Sequence, residues 1–124
     1  MGFLFSEKQG FSKFGSYEGN GNADGTFIYT GFRPACVIAK DIDRTDGRNW
    51  HIYNNKTPGY NPNDILLPSV NNAENTAQDN IDFLSNGFKF RVADNSINGA
   101  STYIYAAWAE APFVNSKGVP CNAR

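Results

Sequence analysis

Thr102-Tyr103-Ile104-Tyr105-Ala106-Ala107-Trp108-Ala109-Glu110 is the stretch on which the fold turns. Its first eight residues carry no charge, and apolar side chains occupy both parities of the alternation. Successive side chains of a strand point to opposite faces, so this strand has to be covered on both sides. The irregular tail 111–124 follows, with Pro112-Phe113-Val114 and Val119-Pro120 apolar enough to dock on a surface.

Working back from that strand, Ile81-Asp82-Phe83-Leu84-Ser85 and Phe88-Lys89-Phe90-Arg91-Val92 flank Asn86-Gly87. Asn-Gly between two β runs signals a tight hairpin, because both turn positions take positive φ. Phe88, Phe90 and Val92 share one face, and Lys89 and Arg91 share the other, as in a half-buried strand. Further back, Ala35-Cys36-Val37-Ile38-Ala39-Lys40 is nearly all apolar and reads as a central strand. It pairs with Asn49–Asn54, in which Trp50 and Ile52 point one way and His51 and Tyr53 the other. Thr26–Thr30 is a further strand, and Phe11–Glu18 is the first, with Gly15 placed to mark a bulge. Between 55 and 80 the chain is rich in Asn, Pro and Gly. Ile65-Leu66-Leu67 is expected to pin that stretch to the core as a short edge strand, and 72–80 to hold at most a helical turn.

The pattern predicts an all-β fold: an antiparallel, jelly-roll-like β-sandwich of about seven or eight short strands with little helix. A single domain of 124 residues divides into an N-terminal arm (1–10), the sandwich (11–110) and an extended C-terminal tail (111–124). With 10 Phe and 6 Tyr the core is aromatic, and 12 Gly supply turns. A net charge of −1 without a basic run leaves no electrostatic footprint for nucleic acid. Phe3-Leu4-Phe5 is too short for a signal peptide or a membrane span, so the chain is expected to be soluble and made in the cytoplasm. In that compartment Cys36 and Cys121 are not expected to pair, and their spacing suits no zinc motif.

No set of residues assembles for catalysis, and no cofactor or metal is expected. Asp41-Ile42-Asp43-Arg44-Thr45-Asp46-Gly47 resembles a calcium loop but fails it. Asp46 falls one residue late, Ile52 stands where the bidentate Glu belongs, and Arg44 and Arg48 neutralise the cluster. It reads instead as a hairpin turn with solvated charges. His51 reads as a half-exposed strand residue, and Cys36 lacks the electropositive surroundings of a nucleophile. Asp64, Glu74, Asp79 and Asp82 fix no separation for glycoside hydrolysis. Sugar-stacking candidates are Trp50, Tyr53 and Tyr60, with the Asn-rich loops supplying polar contacts.

Four segments carry a resemblance: Gly19–Ala35, Asn49–Tyr53, Ile81–Lys89 and Tyr103–Glu110 with Pro112-Phe113 and the tail. Together they resemble a structural domain that recurs, often at the C-terminus, in virion proteins of aquatic tailed bacteriophages. The resemblance implies a non-enzymatic tail, fibre or structural component and brings no catalytic residues. The chain starts at Met1 and holds little beyond that domain. This points to a small subunit present in many copies, decorating the capsid or forming part of an appendage, rather than the tip of a long fibre polypeptide.

The expected partners are therefore other copies of the chain, with a trimer favoured, and other virion proteins. Neither nucleic acid nor membrane is expected. Phe3, Phe5, Phe113, Val114 and Val119 are the expected assembly contacts, since aromatic side chains concentrate binding energy. The competing class is a receptor-binding module for host surface glycans, which would show exposed aromatics clustered on loops at one end.

Overall fold

In a computed structural model, which describes residues 2–46, 48–56, 61, 62, 64–68, 71, 73 and 79–111, two antiparallel sheets pack on an aromatic core. Seven strands occur among the described residues, and no helix. They are β1 (Ser12–Glu18), β2 (Phe27–Tyr29), β3 (Pro34–Asp41), β4 (His51–Asn54), β5 (Ile81–Leu84), β6 (Gly87–Phe90) and β7 (Thr102–Ala109). One sheet has the order β1-β7-β3-β4 and the other β2-β6-β5. The first strand pairs with the last and the second with the second-last, which is the nesting of a jelly roll. The β3–β4 hairpin departs from that nesting, since β4 folds straight back on its predecessor.

β7 lies between β1 and β3, so both its backbone edges are paired. Tyr103, Tyr105, Ala107 and Ala109 point inward and are buried. The outward side chains are covered less than their apolar character predicts: Ala106 and Trp108 are half-buried and Ile104 is 37% exposed. β1 also differs from expectation. Its register with β7 runs unbroken through Gly15, so there is no bulge there. Gly15 lies beneath the Tyr105 ring of the opposite strand. The register shift falls instead in β3, between Pro34 and Cys36.

The β5–β6 hairpin forms one residue off the predicted turn. Leu84 pairs with Gly87, so the two-residue loop is Ser85-Asn86 and Gly87 opens β6. Neither Asn86 nor Gly87 has positive φ. A Cβ on residue 87 would fall on the Ile28 carbonyl of β2. Glycine is required there by the neighbouring strand, not by the turn.

Rings from both sheets meet in the core. Tyr17 stacks on Tyr103 at 4.9 Å between centroids, Phe90 contacts Tyr17 and Tyr53, and Phe88 meets Tyr105 edge-on. Burying each such side chain contributes roughly 1.5–3 kcal/mol. The buried hydroxyls are satisfied: Tyr17 donates to the Ile97 carbonyl at 2.7 Å, and Tyr103 donates to the Asn95 carbonyl at 3.0 Å. At the same end of the sandwich, Asn98 is fully buried. Its amide donates to the Asn22 and Val92 carbonyls and to Asn20 Oδ1, and its own Oδ1 accepts from the Asn20 N–H. The Asn-rich loop is thus tied to the fold by a side chain far away in sequence. Ile65 is buried, and Leu66 exchanges two backbone hydrogen bonds with Ile52, extending the sheet beyond β4 as expected. Most of the proposed helical turn at 72–80 lies outside the described residues.

Candidate interaction surface

The outward face of the four-stranded sheet is read from its register. One row crosses it as Phe14, Ala106, Ile38 and Ile52, a second as Ser12, Trp108, Cys36 and Asn54, and a third as Ser16, Ile104 and Lys40. Lys40 is the single charge in these three rows. Its ammonium bends aside, 5.6 Å from the Trp50 ring centroid, and donates to the Arg48 carbonyl at 2.7 Å. The centre of the face is therefore apolar and uncharged.

The N-terminal arm crosses one corner of this face. Residues 8–12 form a tight turn closed by the Phe11 and Ser12 N–H groups donating to the Lys8 carbonyl, both at 2.9 Å, with Gly10 at φ 70. The turn sends the arm back over β1, where Ser12 Oγ donates to the Ser6 carbonyl and Lys13 pairs with Glu7 at 3.2 Å. Phe5 then packs on Phe14 (5.9 Å) and edge-on against Trp108 (5.6 Å), and Phe14 meets Trp108 at 5.9 Å. The contact is incomplete. Phe5 stays 64% exposed, Phe3 78% and Leu4 100%. Three consecutive large apolar side chains in water are unfavourable unless another surface covers them.

Of the expected assembly contacts, Phe3 and Phe5 are thus exposed beside an apolar sheet face. Phe113, Val114 and Val119 lie outside the described residues. Leu4, Phe14, Ile104 and Trp108 belong to the same surface and were not singled out from sequence. The sequence signal for the last two was the apolar parity of β7 that core packing did not need.

The proposed sugar contacts separate. Tyr53 is fully buried against Phe90, which leaves no ring face for a ligand and overturns that assignment. Strand alternation had placed it correctly on the side of His51, and that side is the core. Trp50 is 41% exposed with the Lys40 ammonium over its ring. Tyr60 lies outside the described residues. The Asn-rich loop is engaged with Asn98 rather than free to bind.

His51 is also buried, not half-exposed as expected. It faces inward opposite Ala39, with Nδ1 3.4 Å from the Tyr53 hydroxyl. Burial pushes its pKa down from 6.5 to about 4, with Arg48 and Lys40 adding to the shift and Asp94 opposing it. Cys36 lies on the outward face of the same sheet, so the two do not form a dyad. Burial raises its thiol pKa, which keeps it protonated.

The acidic turn is not simply solvated. Asp41 is buried, and its Oδ1 accepts from the Asp43 and Arg44 N–H groups and from Ser101 Oγ at 2.7 Å. Asp41 Oδ2 faces Arg44, Asp46 pairs with Arg48, and Asp43 accepts from the Thr102 N–H at 2.7 Å; hydrogen bonding from the Thr102 side chain and then from this N–H lowers the Asp43 pKa. These carboxylates tie the β3–β4 loop to the start of β7. Elsewhere Asp82 pairs with Arg91 at 2.7 Å and Asp64 is buried, while Glu74 lies outside the described residues.

A family model for a domain of unknown function, DUF7483, matches residues 1–112. The chain belongs to this family. The DUF7483 match takes in all seven strands and also the arm, Phe3, Leu4 and Phe5 included. Neither the curated proteins nor the solved structures hold a significant match to the chain.

Proposed function

We propose that this chain is a non-enzymatic structural protein of a phage virion: a small multi-copy subunit, decorating the capsid or forming part of a tail or fibre appendage. It docks through the outward face of the four-stranded sheet and the arm that crosses it. The observation that carries this reading is the exposed run Phe3-Leu4-Phe5 beside a sheet face whose centre is apolar and uncharged. Phe3 and Phe5 alone offer on the order of 300 Å² of ring surface for burial. Two copies exchanging arms and covering part of the sheet face approach the ~1,200–2,000 Å² of a stable interface. Closed homo-oligomers are the usual outcome of self-association, and the resemblance to virion domains of aquatic tailed phages supplies the setting and favours a trimer.

A reconstruction of the particle whose genome encodes this chain tests the assignment. Many symmetric copies, each with this sheet face against a neighbour, are expected. Particles that lack the chain would refute it.

The exposed rings of Phe27 and Tyr29, on the outward side of the other sheet, favour a second reading: recognition of host surface glycans.

A further inference from the structure

We propose that the cleft between the N-terminal arm and the turn after β2, together with the two exposed rings of β2, binds a pyranose-containing saccharide. This rests on the glycan-recognition reading and assigns it to residues other than Trp50, Tyr53 and Tyr60.

The cleft encloses about 220 Å³. Pockets for drug-sized ligands run to ~300–1,000 Å³, so this one suits a single sugar ring. Glu7, Gln9 and Lys13 line one wall, and Tyr29, Thr30 and Gly31 the other. Glu7 Oε1 and Lys13 Nζ stand 3.2 Å apart, and both side chains keep substantial exposure. A carboxylate that accepts beside an ammonium that donates matches neighbouring ring hydroxyls, one used as donor and the next as acceptor.

The aromatic half of the site comes from the alternation of β2. Ile28 points into the core, so Phe27 and Tyr29 point out, 43% and 62% exposed. They stand about 7 Å apart along the strand, a spacing that lets successive sugar rings stack side by side. Nothing at residue 31 covers the hydroxyl end of Tyr29, because that position is Gly31. The C–H face of a pyranose removes such rings from water while its hydroxyls reach the polar wall.

The surroundings favour a sugar over a protein. Phe27 lies opposite Lys89, which pairs with Asp24, and Arg91 nearby pairs with Asp82. A protein surface laid across the rings would strip water from these ion pairs, which is costly. A hydroxyl-rich ligand keeps them hydrogen-bonded. The two rings face away from the apolar outward side of the four-stranded sheet.

The test is two-dimensional NMR of the full chain titrated with methyl α-mannoside, methyl β-galactoside and methyl N-acetyl-β-glucosaminide. The expected result is a saturable shift of the Glu7, Gln9 and Tyr29–Gly31 amides with at least one probe at millimolar concentration. Tyr29→Ala should weaken binding about tenfold, and Glu7→Gln should weaken it too. The melting temperature should not change, because Tyr29 is exposed. Saccharide binding that survives Tyr29→Ala unchanged overturns this site and leaves the glycan reading standing elsewhere on the molecule. No shift with any of the three probes overturns both, without bearing on self-assembly.

Discussion

His51 faces the core from β4, with the Tyr53 hydroxyl 3.4 Å away and Asp94, Arg48 and Lys40 as its charged surroundings. Above pH 6.5 the imidazole is neutral in folded and unfolded chains alike, and stability is at its full value. Between pH 6.5 and about 4 the unfolded chain binds a proton that the folded chain does not. Stability therefore falls as pH falls through that window, by up to about 3 kcal/mol, and this contribution is flat below it. Urea midpoints measured across the window should drop less steeply in His51→Gln than in wild type. Identical slopes would mean that the buried imidazole charges without penalty. Gly87 makes a second prediction. A valine there meets the Ile28 carbonyl, so Gly87→Val should cost about 3 kcal/mol or more. A melting curve superimposable on wild type would show that the β2–β6 register is wrong. Asn98→Ala, which strands the Asn22 and Val92 carbonyls, should cost about 3 kcal/mol and loosen the 19–25 loop in hydrogen exchange.

Among the elements, the arm is expected to be dispensable for folding. Phe5 keeps most of its surface in water, so removing residues 2–6 should lower stability by no more than about 1 kcal/mol. It should also uncover Trp108, read as a red shift in tryptophan emission. Unfolding on that truncation would make the arm part of the core. The strands themselves were legible where local pattern suffices. The alternation of β6 and the opposition of Trp50 and Ile52 to His51 and Tyr53 both hold. Alternation gives the two faces of a strand but not which one is inside. For β4, apolar on both sides, the pattern therefore allows Tyr53 to face a ligand, although it belongs to the core. The turn lies one residue before the Asn86-Gly87 that local pattern indicates, because the need for Gly87 comes from β2, far away in sequence. The cleft was not legible at all. Glu7 and Lys13 meet Tyr29 and Gly31 only after the arm has turned back at Gly10.

At the scale of the molecule the two outward faces differ in character. The three-stranded sheet presents two rings among ion pairs, whereas the four-stranded sheet presents a surface whose centre is apolar and uncharged, with the arm lying on it. Nothing in the core requires Ile104, Trp108 and Phe14 to be apolar, since Tyr103, Tyr105 and Ala107 already fill the inward side of β7. A surface that is apolar without serving the core fits the proposed contact with another molecule. Sedimentation velocity over a range of concentrations, on wild type and on the double variant Phe5→Ser, Ile104→Arg, tests this most directly. The wild-type chain should associate into a discrete oligomer, a trimer being favoured, and the variant should sediment as a folded monomer. A wild-type chain that remains monomeric throughout, or a variant that associates equally well, would contradict it.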